Sequence, residues 1–221
     1  MATPINRPSN QMKDQAGRKL GPRAIETRQR LLDTTLQLLS RRSVLDITVA
    51  EIARQVGIVP SLFYHYFKDV GEATQHIAVE AANEMPAMVA LLGDDLDGSE
   101  GLQRARDLVE AYIDHWERYR GALLFRNHAA DRGDRAFLRI RRNAVSPLIN
   151  ELKRLIEESQ EAGRIAVDVH PYLAASGQVA LLESLASHAD RVRLFDATKK
   201  QLVDTCARMI HSTVTGASGA G

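Results

Sequence analysis

Cysteine and aromatic residues are both scarce in this chain of 221 residues, in which phenylalanine, tryptophan and tyrosine together make up 5%. The single cysteine, Cys206, rules out an internal disulfide, and such sparse use of cysteine is typical of a reducing compartment. The sequence therefore predicts a cytoplasmic protein. It also makes any local cluster of aromatic residues worth noting.

Long apolar runs are absent too. A membrane-spanning helix needs about 18 or more predominantly apolar residues in a row, and the sequence has no such run. Its N-terminus lacks the apolar segment of a secretory signal. Hydrophobic residues make up 44% of the chain and charged residues 26%, which is the usual composition of a globular protein. We expect one or two domains and no membrane partner.

Motifs for catalysis and for metal binding are missing as well. The chain has no H-E-x-x-H, no glycine-rich phosphate loop and no G-x-S-x-G, and one cysteine cannot build a cysteine-rich zinc site. His115 and His128 could in principle approach each other and Asp131, which is the weaker alternative. We expect no catalytic residue, no metal site and no cofactor.

Positive charge is concentrated in the first part of the chain. Residues 1–68 hold 11 Lys and Arg against 5 Asp and Glu, a net charge of +6, whereas the remainder holds 18 against 23, a net charge of −5. A cationic end is what a polyanionic partner requires. The alternative is a solvated surface that is unevenly charged.

Residues 46–72 carry the clearest pattern, that of a helix-turn-helix. Thr48 is placed to cap a first helix, Gly57 to end it in a left-handed conformation, and Pro60 to begin a second helix. Four apolar residues recur at helical spacing in the first helix: Val49, Ile52, Ala53 and Val56. Two short helices joined by a tight glycine turn form a unit whose second helix enters the DNA major groove.

Three segments of this region resemble the DNA-binding half of the TetR family of one-component transcriptional regulators. They are RQRLLDTTLQLL (28–39), ITVAEIARQVG (47–57) and LFYHYF (62–67). The resemblance implies an all-α fold, with an N-terminal three-helix helix-turn-helix domain and a C-terminal helical domain for ligand binding and dimerisation. It also implies a homodimeric repressor that a small, mostly apolar effector releases from a palindromic double-stranded DNA operator.

Two other functions stay open. One is a DNA-binding regulator without small-molecule input, for which operator affinity would not respond to any metabolite. The other is a helical ligand-binding protein or enzyme with a vestigial DNA-reading domain, for which DNA affinity would not depend on salt.

The residues expected to contact DNA lie in and around the second helix. Those at its front would meet base edges, and those around it would meet phosphates, which fix register but carry no base identity. The first group comprises Pro60, Ser61 and Leu62, and the second comprises Thr48, Tyr64, His65, Lys68 and, in the first turn of the first helix, Arg28. The alternatives are a core position for Tyr64, an uninvolved His65 and a surface arginine at 28.

The sequence departs from the usual family pattern at Val59, Ser61 and Leu62 and at 69–71. Val59 cannot cap the helix through its side chain, so Pro60 has to help to start it. Leu62 favours a thymine methyl group over a hydrogen-bonded base edge, and Lys68 replaces a family lysine that comes slightly later. These changes bear on the operator sequence rather than on the fold.

We divide the chain into four regions. Residues 1–24 lack periodicity and are predicted to be a flexible basic arm, which lies along phosphates, reaches the minor groove or is a solvated tail. The helix-turn-helix domain spans 25–70, with a first helix over 25–41. The helical ligand-binding and dimerisation domain spans 71–214, and a flexible tail spans 215–221. The arm's basic residues are Arg7, Lys13, Arg18, Lys19 and Arg23.

The body is predicted to contain a connecting helix over 72–92, kinked or interrupted at Pro86, and five further helices. These run from an N-cap at Ser99 to about Arg120, over 122–130, over 135–162, over 171–189, and over 196–214 from a cap at Asp196. The last two present wide faces of small and aliphatic residues, which suit a four-helix interface between two copies. The alternative is packing within one chain.

Aromatic residues cluster in the middle of the body together with polar groups, as in a small-molecule site. The alternative for each of them is an ordinary core position. The candidate effector-binding residues are Tyr112, Trp116, Tyr119, Phe125, Asn127, His128, Phe137 and Gln178.

Overall fold

In the computed structural model, which describes residues 12–216, the chain is all-α, as predicted. Within that range the only β pairing is an isolated antiparallel bridge between Lys13 and Lys19. The helices are α1 Pro22–Leu39, α2 Val49–Val56, α3 Pro60–Phe63, α4 Val70–Val89, α5 Gly98–Asp131, α6 Arg135–Glu161, α7 Pro171–Ser187 and α8 Lys199–Thr215. Short 3-10 segments occur at Val44–Asp46, Ala90–Leu92 and Ala189–Phe195. No helix in the described range has the length and apolar character needed to cross a membrane.

Contacts divide the chain into two units, one ending at Ala78 and the other beginning at Val79. The division falls inside α4 rather than at the domain boundary after residue 70, which stays a prediction. Pro86 does not interrupt α4, since the helix continues to Val89.

Residues 12–24, part of the predicted flexible arm, contain a short hairpin and the beginning of α1; the flexibility of the arm stays a prediction. Leu20 is buried, and α1 begins at Pro22, three residues before the predicted start. Proline suits this position because its fixed φ matches a helix and its missing N–H would have no partner there. Residues 1–11 of the arm, with Arg7, and 217–221 of the predicted tail lie outside the described residues.

Helix α5 is the centre of the second unit and packs against α6, α7 and α8. The sequence predicted two helices here, with a break near Gly121, but α5 runs without interruption from Gly98 to Asp131. A glycine inside a helix costs only about 1 kcal/mol relative to alanine. Burial of its neighbours Tyr119, Ala122 and Leu123 against the surrounding helices can outweigh that cost.

Two predicted helix caps are wrong. Helix α5 begins before Ser99, with Asp97 at its N-cap position. Helix α8 is capped by Thr198, which exchanges side-chain and backbone hydrogen bonds with Gln201, and not by Asp196. Asp196 instead adopts a left-handed conformation, with φ 55°, which aspartate tolerates better than most residues.

Candidate nucleic-acid interface

Helices α1, α2 and α3 of the first unit share a buried apolar core. Leu31 and Leu32 of α1, Ile52 of α2 and Phe63 of α3 are all at most 1% exposed, and α2 packs against both α1 and α3. Such close-packed side chains fix the angle between the helices. The core therefore presents α3 in one orientation.

The turn between α2 and α3 follows the sequence prediction. The Thr48 hydroxyl accepts a hydrogen bond from the Glu51 N–H at 3.2 Å, and Gly57 ends α2 in a left-handed conformation with φ 78°. Pro60 occupies the first turn of α3, and Val59 precedes it without a side-chain cap. An Arg30 side chain donates to the Val56 carbonyl at 2.5 Å, which satisfies one of the carbonyls that a helix end leaves free.

The front of α3 is open to solvent. Pro60, Ser61 and His65 are exposed, Tyr64 is 53% exposed, and Leu62 is half-buried. The alternative of a core position for Tyr64 is thus not realised. A short helix with outward polar and apolar side chains on a rigid support has the form needed to enter a groove.

The predicted phosphate-contacting residues around α3 differ in their exposure to solvent. Thr48 and Lys68 are exposed, and the Lys68 N–H donates to a Glu72 carboxylate oxygen at 2.5 Å. Arg28 is buried, at 7% exposure, with its guanidinium carbon 4.9 Å from the centre of the Phe67 ring. This cation–π packing argues against the predicted phosphate contact, because the guanidinium faces the core. Arg28 precedes buried Leu31 and Leu32 by three and four residues, so it lies on the helix face that packs into the core.

Gln15 joins the N-terminal segment to the end of α3, a contact that sequence reasoning missed. Its backbone N–H donates to the His65 carbonyl at 3.0 Å, and its side-chain amide donates to the Tyr66 carbonyl at 3.3 Å and to the Glu72 carboxylate at 2.8 Å. No sequence signal marks Gln15, because it lies in a stretch without periodicity and its partners are remote along the chain.

In the second unit, the predicted effector-binding residues do not all lie together. Tyr112, Trp116 and Tyr119 are buried on one face of α5, each at most 6% exposed. The Tyr119 hydroxyl donates to Glu84 at 2.8 Å, and the ring of His115 lies 3.0 Å from the same carboxylate. Burial, together with the hydrogen bond to Glu84, raises the pKa of Tyr119 to about 12.

The remaining predicted residues lie elsewhere in the unit. Phe125 meets Phe137 edge to face, with ring centres 5.3 Å apart. Asn127 donates to Glu183 at 3.3 Å, and His128 is exposed. The Gln178 amide donates to the Thr213 hydroxyl at 2.6 Å and so links α7 to α8.

A buried ion pair, which sequence reasoning also missed, joins α5 to α7. Arg126, at 3% exposure, donates to Glu183 at 2.6 Å, and Arg141 of α6 lies 3.4 Å from the other Glu183 oxygen. Burial lowers the pKa of Arg126, and the charge of Glu183 opposes this effect. Burial and the charge of Glu183 raise the pKa of nearby Tyr112. The ion pair therefore lies close enough to Tyr112 to influence its pKa.

A cleft of about 630 Å³ opens between α5 and α8, away from the predicted effector-binding residues. Its lining includes Arg106 and Lys200, both paired with Asp204 at 2.8 Å and 2.6 Å. Within residues 12–216, no cluster of three or more His, Cys, Asp and Glu side chains is arranged to hold a metal ion.

Helices α7 and α8 each carry an exposed stripe of mostly small and apolar residues. On α7 the stripe consists of Leu173, Gly177, Ala180 and Ser184, and on α8 it consists of Gln201, Thr205, Met209 and Ser212. The spacing of three or four residues puts each set on one helix face. Leu173 is 65% exposed and Met209 is 39% exposed, so both stripes contain uncovered apolar surface.

Family comparisons agree with this geometry. A model of bacterial regulatory proteins of the tetR family matches residues 31–69, and a model of the tetracyclin repressor-like C-terminal domain matches residues 89–220. The regulator BetI of Escherichia coli K12 is 27% identical over 163 residues, which are 66% of this chain and 78% of that protein. An HTH-type transcriptional regulator of Mycobacterium tuberculosis H37Rv is 27% identical over 92 residues, which are 41% of this chain and 38% of that protein.

Solved structures share the fold. A tetR-family transcriptional regulator from Streptomyces coelicolor superposes with a TM-score of 0.66 at 20% identity, covering 88% of this chain and 82% of that one. SmeT, in a structure with triclosan, superposes with a TM-score of 0.56 at 16% identity, covering 82% of this chain and 90% of that one.

Proposed function

This chain belongs to the TetR family of bacterial regulatory proteins and is a DNA-binding transcriptional regulator, and we propose that it acts as a homodimeric repressor of a palindromic operator. The observation that carries the proposal is the exposed front of α3 on a rigid apolar support, in the cationic part of the chain. Pro60, Ser61 and Leu62 meet base edges, and Thr48, Tyr64, His65 and Lys68 hold phosphates. Arg28 is left out because it is buried.

We infer a homodimer from the short length of α3, the helix proposed to enter the groove. Helix α3 has four residues, and one such helix reads too few bases to define a site. A two-fold dimer reads two half-sites about 34 Å apart, one turn of the duplex. The exposed stripes of α7 and α8, within 171–189 and 196–214, are the surfaces that we assign to the dimer interface, because pairing them would cover their apolar residues.

The operator is tested by selecting sequences from a random duplex library with the purified chain. We expect inverted half-sites whose centres lie about one helical turn apart. Leu62→Ala should weaken the preference at one position per half-site by about 1 kcal/mol or more, because it removes an apolar contact with a base edge. Asn143→Ala, an exposed change on α6, is the control and should select the same site. Selection without any enriched sequence would contradict the proposal.

The effector is proposed to be a small, mostly apolar molecule bound beside Tyr112, Trp116 and Tyr119. The support is the aromatic face of α5, where Tyr119 bonds to the carboxylate of Glu84 and His115 lies beside it, because apolar surface with a few polar groups is typical of small-molecule sites. SmeT, the structural neighbour solved with triclosan, makes triclosan a reasonable first probe. To release DNA, a ligand has to bind the two conformations of the protein with different affinity.

Trp116 is the only tryptophan in the chain and reports directly on this site. A compound that releases the selected duplex should also change the emission of Trp116, with the same concentration dependence. Release with unchanged emission would place the effector elsewhere. No release by any apolar compound would favour a regulator without small-molecule input.

A further inference from the structure

Residues 12–20, which we call the N-terminal hairpin, are held in one conformation by their own hydrogen bonds. The Asp14 N–H donates to the Arg18 carbonyl and the Leu20 N–H donates to the Met12 carbonyl, both at 2.9 Å. Gly17 turns the chain in a left-handed conformation with φ 78°, which glycine adopts at low cost. The Asp14 carboxylate accepts from the backbone N–H and the side chain of Arg18 at 2.8 Å and 2.7 Å. The buried side chain of Leu20 fixes the end of the hairpin to the unit.

The hairpin is also hydrogen-bonded to the end of α3, which we call the reading helix. All three Gln15 hydrogen bonds go to residues directly after α3 or at the start of α4, namely His65, Tyr66 and Glu72. Carbonyls at a helix end lack partners within the helix, so Gln15 supplies donors where they are needed. The position of the hairpin is therefore set relative to the residues proposed to contact DNA.

Lys13 and Lys19 lie opposite each other across the hairpin. The two flanking hydrogen bonds make them a non-hydrogen-bonded antiparallel pair, in which the Cα atoms are about 4.5 Å apart and both side chains point to the same face. Both residues are exposed. Two cationic side chains on one face of the hairpin are placed to contact neighbouring phosphate oxygens of a duplex.

We propose that the N-terminal hairpin is a second DNA-contacting element, in which Lys13 and Lys19 together hold the phosphate backbone beside the site of the reading helix. Gln15 acts as a positioning residue, because it fixes the lysine pair to the end of α3. The inference rests on the proposed operator binding and adds to it a sequence-independent anchor outside the helix-turn-helix. Phosphate contacts of this kind strengthen binding to every sequence equally.

The test measures affinity as a function of salt for the full chain and for the Lys13→Gln/Lys19→Gln variant, on the selected duplex and on a scrambled one. Each lysine–phosphate contact contributes about 0.9 to the slope of log affinity against log salt. The variant should therefore lower the slope by about 1.8 for each bound protomer. Affinity should fall by the same factor on both duplexes, since no base contact is lost.

A variant with Lys153→Gln and Lys200→Gln is the matched control, because it removes the same charge from two ion pairs of the second unit, between residues four apart on one helix. It should leave the slope nearly unchanged. Gln15→Ala keeps both lysines and should lower the slope by less than the double lysine variant does.

Three outcomes are distinguishable. A reduced slope in the hairpin variant alone supports the inference. An unchanged slope there, or an equal reduction in the control, overturns the inference and leaves operator binding by α3 intact. Absence of any salt-dependent DNA binding by the unmodified chain overturns both the inference and the proposed function.

Discussion

Individual residues decide how charge is buried in the second unit. Arg126 and Glu183 have side-chain exposures of 4% and 10%, and Glu183 accepts hydrogen bonds from Arg126, Asn127 and Arg141. Taking charges out of water is costly, and the cost is offset only when the partners and hydrogen bonds are complete. The pair therefore adds little net stability while it is intact, but the loss of one partner leaves an uncompensated buried charge.

The substitution Glu183→Gln should destabilise the protein by about 3–5 kcal/mol, because it removes the charge that compensates buried Arg126. Chemical denaturation at a fixed protein concentration measures this. A double variant, Arg126→Met/Glu183→Leu, is the control and should recover most of the loss by removing both charges. If the single variant is as stable as the unmodified protein, the guanidinium reaches water and the pair is not buried as described.

Among the helices, α5 depends on a close approach at its first turn. A Cβ atom on Gly101 would overlap the carbonyl group of Leu96, whose side chain is 1% exposed. The backbone of Leu96, just before α5, therefore packs directly against Gly101, which has no side chain to block the contact. Glycine is required at 101 for space, whereas at Gly57 it is required for the left-handed conformation of the turn.

We expect Gly101→Ala to destabilise the second unit by about 1–3 kcal/mol or more, since Leu96 or α5 has to shift to admit the methyl group. Thermal and chemical unfolding provide the measurement. Ser99→Ala is the control in the same turn; because Ser99 does not occupy the N-cap position, its effect should stay within about 0.5 kcal/mol. Equal stability of the two variants would mean that Leu96 does not pack against Gly101.

At the scale of the whole molecule, the exposed stripes on α7 and α8 are the surfaces proposed to pair two copies of the chain. Ala180 lies in the middle of the α7 stripe and is exposed. In a four-helix interface between two copies, small residues at such positions let the helices approach closely. A large charged side chain there would have to be buried without a partner.

The substitution Ala180→Arg should convert the protein from about twice the chain mass to about the chain mass in analytical ultracentrifugation at micromolar concentration. It should also weaken binding to the full palindrome far more than to one half-site, because only the dimer spans both. Asn143→Arg on the exposed face of α6 is the control and should remain dimeric. A dimeric Ala180→Arg variant would move the interface away from α7.

The sequence by itself was sufficient for the features that depend on near neighbours along the chain. The period of Ile52, Ala53 and Val56, the cap at Thr48, the left-handed Gly57 and the start at Pro60 are local, so the reading helix and its exposed front could be predicted. The all-α class follows from the same periodicity, repeated through the second unit.

Only the tertiary structure decided the features that depend on remote partners. Gln15 acquires its role from residues 65–72, and Arg126 acquires its partner from Glu183. Helix α5 continues through Gly121, because burying the neighbouring side chains stabilises the helix by more than the glycine destabilises it. Arg28, a predicted phosphate ligand, lies on the buried face of α1 and packs against Phe67, which is remote in the sequence. Local propensity selects helices and turns, but which side chain meets which, and which charge is buried, is determined by the packing of segments far apart in the sequence.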